Sequence, residues 1–182
     1  MIFYIRHGEY IGSILGSATG SIYQELTVDG RQSCLTNRSS LPRSVSQTVI
    51  SSTAGRAMET AALLFPGSQI QLEDSILETD GGPLSLVPEF YVSNLFGIEN
   101  TPLRQYPGAE SNISMSKRVL SFHCNLLSSF TQDSHIFVVC HSGPISSIAK
   151  SYGLNLRSIP FLGGISVNKA NGCFFCEPFN LA

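Results

Sequence analysis

The stretch Met1-Ile-Phe-Tyr-Ile-Arg-His-Gly-Glu9 decides how the rest of the chain is read. Ile2 to Ile5 form a short apolar run, rich in β-branched and aromatic side chains, which predicts a strand buried on both faces. Arg6 and His7 follow at its carboxyl end, and Gly8 permits close approach of the backbone to a ligand. A second run, His135-Ile-Phe-Val-Val-Cys140, ends in the same manner, in His141-Ser142-Gly143. A third closes at Val49-Ile50 and runs into Ser51-Ser52, with Arg56 on the next helix. In an open parallel sheet, ligands bind beyond the carboxyl ends of the strands, where the strand order reverses. The pattern therefore predicts that Arg6, His7, Arg56 and His141 converge on one pocket. A helix opening at Ser142-Gly143 adds free N–H groups and a partial positive charge to it. Such a pocket suits a dianion of the phosphoryl kind.

Outward from these strands, the order is consistent with one α/β domain. Gly8 to Ser21 is polar and rich in Gly and Ser, which predicts a loop. A helix opens near Thr27 and runs towards Asn37. Ala54–Phe65 is a helix rich in Ala, Leu and Met, stopped by Pro66-Gly67. A short strand fits Ile70–Leu72, and a helix is possible near Ser85–Phe96. Ser111 is a good N-cap for a long helix to about Phe130, in which Met115, Val119, Phe122, Leu126 and Phe130 recur at three- and four-residue steps. Another helix should follow from about Gly143 to Tyr152. Between Phe161 and Phe179, Asn171-Gly172 splits two β-like runs and signals a hairpin. Alternating strands and helices predict a three-layer α/β/α sandwich, its sheet mostly parallel with an antiparallel edge.

The bulk properties narrow the function. The 182 residues suffice for one sizeable core, and only 13% are charged, with a net charge of −2. A general attraction to nucleic acid or to an anionic membrane is not expected from that balance. No apolar run approaches the length needed to span a bilayer. The five-residue apolar start lacks the features of an export signal, so a cytoplasmic location is expected. Cys34, Cys124, Cys140, Cys173 and Cys176 are odd in number and scattered. They are expected to be buried or half-buried thiols, and the lone Cys173/Cys176 pair has no second pair to complete a zinc site. No metal or cofactor is called for.

The chemistry explains the residue types. Phosphoryl transfer spreads charge over three oxygens, which positioned guanidiniums complement. A neutral imidazole can attack phosphorus and hold the group until water removes it, and an acid must protonate the leaving oxygen. Arg6-His7-Gly8-Glu9 at the end of the first strand resembles the signature of the histidine phosphatase superfamily, the phosphoglycerate mutase-like fold. Five further blocks resemble that family in order: Gly20 with Leu26-Thr-Val-Asp-Gly30; Ser52-Thr-Ala-Gly-Arg56-Ala-Met-Glu-Thr60-Ala61; Leu77-Glu78 with Gly81; Pro107-Gly-Ala-Glu-Ser111; and Val139-Cys-His141-Ser-Gly143.

The resemblance implies that His7 is the phosphorylated nucleophile and that Arg6, Arg56 and His141 hold the phosphoryl group. It makes Glu78 the proton donor and later the base for water, and gives Gly20 a backbone contact near the substrate. Ser13 stands where the family often has Asn among its phosphate contacts, and Tyr10 where it often has Thr. Tyr23 replaces an Asp, Thr53-Ala54 a Pro-Leu, and Ser142 a Gly. Glu9 and Glu110 are read as capping or supporting groups, and His123 and His135 as structural.

The whole chain, 1–182, is then one domain with a short cover segment at about 79–109. A mutase must keep its phosphorylated intermediate dry under a closing lid, whereas a phosphatase must admit water. The short cover predicts hydrolysis of a small phosphorylated metabolite, by a monomer or homodimer. Phe90, Tyr91, Leu95, Phe96 and Tyr106 could line its apolar side. The other readings are a phosphohistidine phosphatase, a mutase-type phosphotransferase and a non-catalytic domain that binds a phosphorylated ligand.

Overall fold

The computed structural model describes residues 1–16, 24–42, 47–86, 108–130 and 134–181. Six strands form one sheet: β1 (Ile2–Arg6), β2 (Gln47–Ser52), β3 (Ile70–Glu73), β4 (His135–Cys140), β5 (Gly163–Ala170) and β6 (Cys173–Asn180). Their order is β3-β2-β4-β1-β5-β6. The first four run parallel, while β5 is antiparallel to β1 and β6 to β5. The expected α/β fold with an antiparallel edge is therefore the observed one.

Alternation along the strands explains the two covered faces. Ile2, Tyr4, Ile136, Val138 and Cys140 point to one side, where they pack with Met115 and Val119 of α4 (Asn112–Ser128) and Ile145 and Ile148 of α5 (Ser142–Ser151). Phe3, Ile5, Phe137 and Val139 point to the other, against Cys34 of α2 (Val28–Asn37) and Ala57, Ala61 and Leu64 of α3 (Gly55–Leu64). Thr27 caps α2 by accepting from Gly30 N, and Ser111 caps α4 by accepting from Ser114 N. Asn171 and Gly172 both take positive φ, 51° and 81°, the backbone that a two-residue hairpin of matching twist requires.

The sequence reading departs from the structure in a few places. A short helix, α1 (Ile11–Ile14), interrupts the stretch expected to be loop, and α4 ends at Ser128, two residues before Phe130. Gly82–Leu86 is a 3-10 helix, and most of the helix expected near Ser85–Phe96 falls outside the described residues. So do Phe90, Tyr91, Leu95, Phe96 and Tyr106 of the cover segment. Cys34 and Cys140 are buried and Cys176 is half-buried, but Cys124 and Cys173 are exposed, because their positions face outward on α4 and on the edge strand. Among the described residues no helix is long and apolar enough to cross a membrane.

His123 proves to be a core residue. Its Nδ1 meets the Tyr4 hydroxyl at 2.6 Å and its Nε2 the Tyr152 hydroxyl at 2.8 Å. Burial pushes its pKa down to about 4. The unfolded chain, with an ordinary imidazole, therefore binds more protons than the native state once the pH falls below about 6.5. Stability is full above that value and is lost as the pH drops towards 4, with roughly 3 kcal/mol owed to His123 alone. The expected outcome is that His123→Gln, which cannot titrate, lowers the melting temperature at pH 7.5 yet loses less on acidification. Parallel melting curves for the two proteins between pH 7.5 and 5 would contradict this.

Candidate active site

Strand register brings the motifs together. Arg6 pairs with Cys140 across β1 and β4, and Ser51 with Val139 across β2 and β4, so the three carboxyl ends lie level. His7 N donates to Cys140 O at 3.0 Å and extends the β1–β4 pairing by one residue. His7 and His141 are thereby neighbours, with ring centroids 5.1 Å apart. Arg56, in the first turn of α3, reaches in from the third strand. Its Nε donates to His7 Nε2 at 3.1 Å, one terminal nitrogen to His141 Nδ1 at 3.1 Å, and the other to Gln24 Oε1 at 2.5 Å. All three of His7, Arg56 and His141 are buried.

The donors fix the tautomers. A carbonyl only accepts, so the 2.8 Å contact of His7 Nδ1 with Gly8 O places the proton on Nδ1. Nε2 then holds a lone pair, directed into the cluster. For His141 the guanidinium claims the Nδ1 lone pair, so Nε2 carries the proton and donates to Ser52 Oγ at 2.9 Å. Burial, followed by the Arg56 charge, holds His7 well below the ordinary imidazole range, against the pull of the Gly8 carbonyl. Burial, then His7 and Arg56, depress His141 in the same direction. Both rings are neutral at pH 7. A phosphoryl dianion in the cluster would oppose that depression and favour a proton on His141 Nδ1, turning it into a donor.

Arg6 faces the same space. One terminal nitrogen donates to Ile159 O at 2.5 Å, its guanidinium carbon lies 4.1 Å from the centroid of the Phe161 ring, and among the described residues its buried Nε has no partner. Tyr10 covers the other flank, 5.2 Å from the His7 ring and 4.8 Å from the Arg56 guanidinium carbon. Gly8 N donates to Thr60 Oγ1 at 3.0 Å, tying the backbone after His7 to α3.

Glu78 sits across the opening. Its carboxylate accepts from Gly143 N at 3.0 Å and Ser142 Oγ at 3.2 Å, at the N-terminus of α5. A Cβ on Gly143 would come within 2.1 Å of Glu78 Oε1, so the absent side chain makes the contact possible. Glu78 lines a cavity of about 600 Å³ with Arg56, Gln24, Thr53 and Asp80. The expected set Arg6, His7, Arg56, Glu78 and His141 is thus gathered at one end of the sheet. Ser13 has its hydroxyl turned back onto Tyr10 O at 2.6 Å in α1, with no hydrogen bond to the cluster among the described residues. Gly20 lies outside the described residues.

Sequence reading missed several supports. Gln24 on Arg56 carries no signal beyond being polar, while Ser52 on His141 and Thr60 on the backbone of Gly8 stand in a family-like block but were given no role. Phe161 was read only as the start of a β-like run. Glu110, read as a capping or supporting group, pairs with Arg118 at 2.7 Å. Among the described residues no three His, Cys, Asp or Glu side chains are grouped to hold a metal ion.

Two arginines and two histidines meet beyond the carboxyl ends of the parallel strands, in an α/β protein of the phosphoglycerate mutase-like fold. The chain belongs to the histidine phosphatase superfamily, branch 1, whose family model matches residues 2–159. Among solved structures, it resembles a proposed alpha-ribazole-5′-P phosphatase of Escherichia coli at 23% identity and a TM-score of 0.80, over 98% of this chain and 96% of that one. A mycobacterial glucosyl-3-phosphoglycerate phosphatase, in complex with VO3, matches at 18% identity and a TM-score of 0.77, over 98% and 96%. A phosphoglycerate mutase of Thermus thermophilus matches at 22% identity and a TM-score of 0.66, over 91% of each chain. No curated protein sequence matches the chain.

If Arg56 is the central cation, Arg56→Gln has two expected consequences. Inorganic phosphate should bind about ten- to a hundred-fold more weakly, the worth of a charge-assisted hydrogen bond. The His7 ring should also titrate at a higher pH, because a repelling charge is gone while burial stays. Calorimetry and imidazole NMR shifts measure these, and an unchanged His7 titration would contradict the electrostatic assignment.

Proposed function

We propose that this chain is a phosphatase that hydrolyses a small phosphomonoester through a phosphohistidine on His7. The observation that supports this most directly is the His7 Nε2 lone pair, buried and 3.1 Å from Arg56 Nε, beside a second imidazole. In the first step Nε2 attacks phosphorus and the ester P–O bond breaks. The leaving oxygen takes a proton from the Glu78 carboxyl group. In the second step water gives a proton to Glu78 and attacks phosphorus, and the P–N bond breaks with its electron pair returning to Nε2. Arg6, Arg56 and a protonated His141 would bind the three equatorial oxygens, and the Gly20 N–H would lie near the substrate. Ser13 would join only if its hydroxyl left Tyr10 O.

The short cover segment at about 79–109 favours water over a returning product, and so hydrolysis over mutase exchange. The presence of Glu78 favours oxygen esters, since a phosphoramidate has less need of a proton donor. Two of the resembling structures carry phosphatase names, one for a ribazole phosphate and one for a glucosyl phosphoglycerate. Both are monoesters of hydroxylated small molecules, the substrate class proposed here.

The test is hydrolysis of 4-nitrophenyl phosphate and of a phosphometabolite panel, with His7→Ala alongside. The parent should turn over and the variant should lose at least about a thousand-fold. Acid-labile, alkali-stable label should appear on the parent from a phosphorus-labelled substrate. Since Arg6 and Arg56 supply the positive charge, turnover should survive EDTA. Efficient exchange between 3- and 2-phosphoglycerate would replace the phosphatase reading with the mutase one. No turnover of any ester, with phosphate still bound, would leave a binding domain.

A further inference from the structure

We infer that Arg118 is the positioning residue for the proton donor, acting through the backbone that carries Glu78. The inference rests on the role proposed above for Glu78. Residues 77–81 belong to no helix or strand, so no sheet pairing or helical turn fixes where that carboxyl group stands. Arg118, on α4, supplies what is missing. Its Nε donates to Glu110 Oε1 at 2.8 Å and one terminal nitrogen to Glu110 Oε2 at 2.7 Å. The other terminal nitrogen donates to Ser75 O at 2.9 Å and Leu77 O at 2.8 Å. The first also donates to Glu78 O at 3.0 Å, on the acid's own backbone.

A guanidinium has five N–H donors in one rigid plane. Here each finds an acceptor, and three of them are carbonyls along the few residues that lead into Glu78. Glu110 completes the frame from the far side. Its N donates to Asp80 O at 2.7 Å and its carboxylate accepts from Asp80 N at 3.3 Å. The Arg118 fork holds the Glu110 carboxyl below the usual carboxylate range, so this partner stays ionised. Glu78 is therefore bracketed on both sides by one half-buried ion pair, which lines the same cavity but makes no hydrogen bond to either imidazole. Its side chain is left free to span from that frame to Ser142 and Gly143.

A merely structural staple would cost folded protein and so slow every substrate alike. A positioning residue has a different signature. Esters of poor leaving groups need the proton most, so misplacing the acid should slow them far more than esters of good ones. The experiment compares glycerol phosphate with 4-nitrophenyl phosphate in the parent, Glu78→Gln, Arg118→Ala and Arg118→Lys. The ratio of the two rates within each protein cancels any loss of folded fraction.

Arg118→Ala is expected to lower glycerol phosphate turnover about a hundred-fold, the scale of a misplaced catalytic group, with only a few-fold loss on 4-nitrophenyl phosphate. Arg118→Lys keeps the charge but not the fork, and should show the same steepened ratio. Combining Arg118→Ala with Glu78→Gln should be no worse on glycerol phosphate than Glu78→Gln alone, because both remove one function. If Glu78→Gln steepens the ratio while the Arg118 variants slow both esters in parallel, this inference fails and the role of Glu78 stands. If Glu78→Gln leaves the ratio unchanged, the proton-donor reading fails and this inference falls with it. Should Arg118→Ala not fold, Arg118→Lys carries the decision, and a ratio equal to the parent's overturns the inference.

Discussion

Arg56 is a buried cation that donates to two neutral imidazoles, and the rest of the site is arranged around that constraint. Taking a guanidinium out of water is costly unless its N–H groups find partners. Here the partners are His7, His141 and Gln24, and among the described residues no carboxylate pairs with it. Each nitrogen thus has a partner, while the positive charge has no counter-ion within ion-pair distance among the described residues. With Arg6 close by, the cluster carries excess positive charge in a water-poor space, where electrostatic attraction to a dianion is strong. Burial and these charges depress both imidazoles and keep His7 Nε2 unprotonated, its lone pair accepting from Arg56. One arrangement would therefore prepare both the anion site and the nucleophile proposed above.

The sheet makes this arrangement possible at tolerable cost. Placing β4 between β1 and β2 brings His7, His141 and Arg56 to adjacent strand ends, although they are far apart in sequence. A shift of one residue in any of these pairings would exchange the side chains of the two apolar layers and break the packing of each. Register is thus held by the two apolar layers, and the polar cluster inherits its precision from them. Close backbone approaches add to it. A Cβ on Gly164 would lie 1.8 Å from Tyr4 O, so β5 can pack beside β1 only with glycine there.

This division explains what the sequence makes legible. Strands β1 and β4 announce themselves as apolar runs, and the polar residues that end them are conspicuous because they follow so abruptly. Their convergence follows from a general property of parallel sheets, and the family resemblance then gives the roles. The Thr27 and Ser111 caps and the Asn171-Gly172 turn are local chemistry and are equally visible. By contrast, Gln24 acts through a hydrogen bond that only the folded geometry creates, and Ser52 and Thr60, though part of a family-like block, gain their partners only there. Phe161 stacks on Arg6 from beyond β4, with nothing in its local pattern to mark it. The exposure of Cys124 and Cys173 depends on which side of a helix or strand faces outward, which weakly amphipathic sequence does not specify.

The proposed acid is held on a different principle from the proposed nucleophile. His7 sits on a strand end and inherits the rigidity of the sheet, whereas Glu78 sits on irregular backbone. Irregular backbone leaves carbonyls without partners, and a planar five-donor group is well matched to several of them at once. The ion pair of Arg118 and Glu110 therefore does for the acid-bearing segment what strand pairing does for β1, with α4 as its anchor. This arrangement has a mechanical advantage. In the proposed mechanism the nucleophile must stay fixed against the arginines through both steps, while the acid must meet a leaving oxygen and later a water in nearly the same place. A carboxylate on a short side chain, projecting from a pinned backbone, can make that small adjustment without disturbing the anion site.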